Sequence, residues 1–98
     1  MTLKLRHGVS TTDIEYGIAV LDEDSGRYWN LNPTGALVLR TLLDGGTPAQ
    51  AADLLSREYA VDADSASKDV DDLLRALRFA RLVEQQPAGG AGDPASAR

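Results

Sequence analysis

Residues 27–35, Arg27-Tyr28-Trp29-Asn30-Leu31-Asn32-Pro33-Thr34-Gly35, hold the end of one kind of structure and the start of another. Arg27 to Leu31 carries two aromatics and a leucine, side chains that suit a pleated, half-buried strand. Asn32-Pro33 then reads as a helix N-cap with proline in the first helical position, where its missing N–H costs nothing. The chain therefore passes from sheet to helix at Leu31–Asn32.

Working back toward the N-terminus, apolar residues recur with period two, the spacing of a strand. Leu3 and Leu5 alternate with Lys4 and Arg6, which predicts a short strand. Ser10-Thr11-Thr12-Asp13 reads as a polar turn. Ile14, Tyr16, Ile18 and Val20 alternate up to Asp22, and Glu23-Asp24-Ser25-Gly26 is rich enough in turn formers to close a hairpin onto 27–31. Three antiparallel strands result.

Working forward, the period becomes helical. Leu37, Val38, Leu39, Leu42 and Leu43 form an apolar stripe that Gly45-Gly46 stops. Thr47-Pro48-Ala49-Gln50 is a capping box, with Ala51, Leu54, Leu55 and Tyr59 as the buried face of a second helix. A third helix begins between Asp62 and Ser65, buries Val70, Leu74 and Leu77, and ends near Ala80. Its acids lie early and Arg75, Arg78 and Arg81 late, as the helix dipole favours. Leu82-Val83 packs the exit back on the core. The predicted fold is α+β, a three-stranded antiparallel sheet followed by three helices (βββααα), over residues 1–85. Residues 86–98, from 87 onward PAGGAGDPASAR, read as a disordered Ala/Gly/Pro-rich tail.

Composition narrows the function. The chain has 98 residues, room for one domain, and a net charge of −5. It has no cysteine, which excludes disulfides, thiolate metal sites and a cysteine nucleophile. The acidic balance is wrong for nucleic acid, which demands Lys and Arg against phosphate. Neither a signal peptide nor a membrane span is legible, so the expectation is a soluble cytoplasmic protein. His7 stands alone, without a carboxylate or hydroxyl partner for catalysis. Gly45-Gly46 follows a helix and lacks the lysine of a phosphate loop. Asp62, Asp64, Asp69, Asp71 and Asp72 lack the glycine and closing glutamate of a calcium loop, and Asp24-Ser25 sits in a turn rather than at the helix cap an acyl carrier needs. No cofactor, no metal and no catalytic role are expected.

Strand 27–31 offers more. As the last strand of a small sheet it should be an edge, yet it carries no lysine, and no proline before Pro33. Its free N–H and C=O groups form a template for an added strand. The motif string running from Tyr28 to Gly35, with Leu42-Leu43-Asp44-Gly45, Tyr59-Ala60-Val61, Asp69-Val70, Leu73-Leu74, Leu77 and Leu82-Val83, resembles the PqqD family. This is the peptide-binding winged helix-turn-helix domain also called the RiPP recognition element, and a free-standing chain of this length is most similar to those of lasso-peptide clusters.

That resemblance implies a non-catalytic protein that binds the leader segment of a ribosomally made precursor. It also implies partners: the leader peptide, a leader peptidase and a cyclase, with no nucleic acid and no membrane. The leader would add as an antiparallel strand along Arg27, Tyr28, Trp29, Asn30 and Leu31 and place side chains against the third helix. Of that helix's flanks, Asp69, Asp72, Leu73 and Ala76 mix apolar and acidic groups, whereas Asp71, Arg75 and Arg78 are purely charged. The former flank is the expected groove wall. The rival reading is a winged-helix DNA-binding regulator, for which the acids of the third helix stand where a base reader needs Arg, Asn or Gln.

Overall fold

The computed structural model describes residues 2–86. Five strands and three helices follow in the order β1 (Thr2–Leu5), β2 (Val9–Ile14), β3 (Gly17–Asp22), β4 (Arg27–Leu31), α1 (Pro33–Leu43), α2 (Pro48–Tyr59), α3 (Ala63–Phe79) and β5 (Val83–Gln86). The α+β class holds, but the strand count and pairing differ from the three-stranded expectation. One antiparallel sheet has the order β2-β3-β4, and a separate two-stranded sheet pairs β1 with β5.

Ser10 to Asp13, expected as a turn, is strand β2, paired with β3 from Val9↔Asp22 to Ile14↔Gly17. It is an outer strand whose last four residues are exposed, so no apolar alternation marks it. The run expected as one strand from Ile14 onward is broken by the Glu15-Tyr16 turn. Gly17 makes that turn possible: at φ 148° it lies so close to the end of β4 that a Cβ there would stand 1.8 Å from the Leu31 carbonyl oxygen. Leu3 and Leu5 belong to the other sheet, where Leu3 faces Gln85 and Leu5 faces Val83. The tail expected over 86–98 lies outside the described residues, except for Gln86, whose backbone closes β5.

The helices start and stop as their caps dictate. Asn32 Oδ1 accepts the Gly35 N–H at 2.9 Å, and Thr47 and Gln50 complete a reciprocal capping box. Asp62 Oδ1 accepts the Ser65 N–H at 3.0 Å, and that bond above all holds the Asp62 carboxyl below the usual carboxylate range. Helix α3 ends in a Schellman motif: the Leu82 N–H donates to the Leu77 carbonyl and the Arg81 N–H to the Arg78 carbonyl. Arg81 takes the left-handed conformation this motif needs, at φ 60°.

Ile18 and Val20 of β3, Val38, Leu39 and Leu42 of α1, Leu55 of α2, Val70, Leu74 and Leu77 of α3, and Leu3, Leu82 and Val83 form one core. Tyr59, expected in the buried face of α2, is instead 44% exposed at the last position of that helix. Arg6 ties the two sheets together. Its guanidinium meets Asp22 at 3.1 Å and Asp24 at 3.3 Å and donates to the Arg81 carbonyl. Partial burial pulls the Asp22 carboxyl upward but is outweighed by the Asp24 N–H, the Ser25 hydroxyl and Arg6, so Asp22 ends below the usual range.

Candidate functional site

Among the described residues, strand β4 has β3 on one side and no strand on the other. Which of its amides are free follows from the ladder. The Glu23 N–H donates to the Gly8 carbonyl, one step beyond the pair Val9↔Asp22. Backbone polar groups alternate between the two sides of a strand. Since Glu23 bonds toward β2, so do Leu21 and Ala19, while Asp22, Val20 and Ile18 bond toward β4. Their partners Arg27, Trp29 and Leu31 are thereby satisfied. The N–H and C=O of both Tyr28 and Asn30 point away from the sheet.

The side chains alternate on the perpendicular axis. Trp29 and Leu31 are half-buried and pack on the core, while Tyr28, 65% exposed, and Asn30 take the other face. The Arg27 guanidinium lies over the Trp29 ring, 5.8 Å from its centroid.

The first half of α3 faces the C-terminal end of β4 and its close faces the N-terminal end, so the two elements run in opposite senses with a cavity at each end of the groove between them. At the C-terminal end of β4 a cavity of about 380 Å³ is bounded by Asn30 and Leu31 on one wall and by Asp69 and Leu73 on the other. Its floor is Val38 and Leu55, and the start of α1, from Asn32 to Gly35, closes one end. At the N-terminal end of β4 a cavity of about 340 Å³ is lined by Asp22 and Ser25 of the β3–β4 hairpin, by Arg27 and Trp29 on the strand, and by Phe79, Ala80 and Arg81 at the close of α3. Positions 69, 73, 76 and 80 fall on one stripe of the helix, so the exposed Ala76 lies between the two cavities.

Of the expected flank of α3, Asp69 and Leu73 line the cavity beside the strand, and Asp72 and Ala76 line neither cavity. The Asp72 carboxylate pairs with Lys68 at 3.0 Å. Tyr28 contributes backbone rather than a side chain to the groove. The sequence reading missed Asn32, Thr34 and Gly35, which read as capping residues, and Val38 and Leu55, which read as core. It also missed Phe79, which is 92% exposed. A large aromatic off the core stripe of α3 was the signal for it.

Among the described residues the walls are apolar and amide-rich, with Asp69 the one charge at one end and Arg27 and Arg81 beside Asp22 at the other. Among the described residues no group of three or more His, Cys, Asp or Glu could hold a metal ion, and no helix is long and apolar enough to cross a membrane. What this arrangement offers chemically is two free N–H donors, two free C=O acceptors and shallow pockets either side: a seat for an extended peptide.

Comparison with known proteins agrees. The family model for coenzyme PQQ synthesis protein D (PqqD) matches residues 17–83. Among solved structures, one described as lasso peptide synthetase B1 complexed with the leader peptide is 36% identical, with a TM-score of 0.81 over 87% of this chain and all of the other. A second, TbiB1 in complex with the TbiA(beta) leader peptide, is 29% identical, with a TM-score of 0.75 over 92% of this chain and 99% of the other. No curated protein matches.

Proposed function

From the premise that this chain belongs to the PqqD family, we propose that it binds the leader segment of a ribosomally synthesised precursor peptide by strand addition at β4. The observation that carries the reading is the outward edge of Tyr28 and Asn30 facing a groove walled by Asp69 and Leu73. Both similar solved structures are described as leader-peptide complexes. Backbone pairing sets the register, and the two cavities supply the side-chain selection that backbone pairing lacks.

The wider role is that of a presenting module in lasso-peptide or related biosynthesis, without catalysis of its own. The bound leader would be handed to a leader peptidase and a cyclase in the cytoplasm. The hairpin β2-β3 and helices α2 and α3 would serve as the wing and helix pair of a winged helix-turn-helix scaffold. A DNA-binding role has no comparable support. The cap and first three turns of α3 carry Asp62, Asp64, Asp69, Asp71 and Asp72, which repel phosphate.

The test is a titration of the fluorescently labelled leader segment of a candidate precursor peptide against the protein and its Leu73→Arg variant. Leu73 is half-buried at the groove wall, so arginine there fills the cavity while the core behind it stays packed. Loss of binding beyond about tenfold with an unchanged fold supports the reading. Undiminished binding by the variant refutes it. Incubation of the protein alone with precursor and ATP is expected to yield neither cleavage nor ring closure.

A further inference from the structure

The two ends of the groove differ in charge, and the difference has a direction. At the end formed by Asn30, Leu31, Thr34 and Leu73, Asp69 is the one charge among the described residues of the wall. At the other end Arg27 and Arg81 line the cavity together with Asp22. Asp22 is already matched there: its carboxylate is held by Arg6, which also takes Asp24. Among the described residues, Arg27, Arg81 and Asp69 form no ion pair with one another or with any other group.

Arg81 adds a second, independent observation. It occupies the left-handed position that closes α3, where glycine is the favoured residue and any side chain is disfavoured. A disfavoured backbone retained beside a binding cleft points to use of the side chain it carries. Leu82, the next residue, is fully buried and explains why the chain must turn there, but not why the turning residue is an arginine.

We infer that the groove selects the charge order of the strand it takes up, preferring a cation toward that strand's N-terminal end, met by Asp69, and an anion further along, met by Arg81 and Arg27. This rests on strand addition antiparallel to β4. An antiparallel guest begins at the Leu31 end of β4 and finishes at the Arg27 end, which fixes the order. The spacing follows from geometry. Asp69 and Arg81 are twelve positions apart on and just past α3, about 18 Å at helical rise. An extended guest covers that in about five residues, and side chains on one face recur at even intervals. The two charges therefore stand four or six residues apart in the guest.

The experiment is selection from a display library of random peptides about twelve residues long on the full chain. Isomeric peptides of identical composition are then synthesised, cation-first and anion-first. Enriched sequences are expected to place Lys or Arg four or six positions before Asp or Glu. The cation-first isomer should bind about three- to tenfold tighter at low salt, a margin that shrinks as salt screens exposed charges. In the double variant Asp69→Lys, Arg81→Glu the preference should reverse. In Arg81→Gly, which relaxes the backbone and so protects the fold, the preference should weaken without loss of melting temperature. Peptides selected without charge order, or in the anion-first order, overturn the inference while leaving strand addition intact, provided their binding still fails in Asn30→Pro. Failure to select any peptide, or selection indifferent to Asn30→Pro, overturns both.

Discussion

Single residues carry sharply different burdens in this chain. Gly17 has no substitute, because any Cβ meets the Leu31 carbonyl at the end of β4. Gly17→Ala is expected to destabilise by more than about 2 kcal/mol, read as a fall in melting temperature, since it combines a disfavoured φ with a steric clash. Arg81 is the opposite case: Arg81→Gly should raise stability by about 1 kcal/mol by removing a left-handed side chain. Acid dependence belongs at this scale too. Asp22 and Asp62 ionise more readily in the folded chain than in the unfolded one. The unfolded chain therefore takes up protons first as pH falls, and the stability these carboxylates add at neutral pH is lost below about pH 4. An acid titration followed by circular dichroism checks this. Asp62→Asn, which keeps the cap but not the charge, should flatten part of that acid limb.

Elements were legible in proportion to how local their determinants are. All three helices could be read from their caps, because Asn32, Thr47 and Asp62 act within three residues of themselves. Strand β4 could be read from its aromatics and its place before Pro33. Strand β2 could not, since Ser10, Thr11, Thr12 and Asp13 lie on an outer strand with no buried face to imprint alternation. The wall of the groove was legible as far as helical periodicity reaches, which puts Asp69 and Leu73 on one stripe, where both line the same cavity. Asp72 lies to the side of that stripe and pairs with Lys68 across an i,i+4 spacing that the sequence displays. A separable prediction follows for α3. Asp69→Asn should weaken binding of a leader with a cation at that position, whereas Asp72→Asn should change it by less than about twofold, because its charge is already paired and exposed.

At the scale of the whole molecule, the feature no local reading supplies is the pairing of β1 with β5, which joins the two ends of the described residues. That sheet, with Arg6 bridging to Asp22, Asp24 and the close of α3, sets where α3 ends relative to β4 and hence the width of the groove. A small domain can keep one edge unpaired without unfolding because β4 is anchored on its other side by β3 and beneath by Trp29 and Leu31. The same arrangement makes the edge available to a guest. Amide hydrogen exchange along β4, measured residue by residue with and without leader peptide, tests this most directly. The Tyr28 and Asn30 amides should exchange freely in the unbound protein and slow by at least about tenfold when leader is added, while those of Trp29 and Leu31, already bonded to β3, should change little. Protection that appears on the outer face of α2 with Tyr28 and Asn30 unaffected would contradict strand addition at β4.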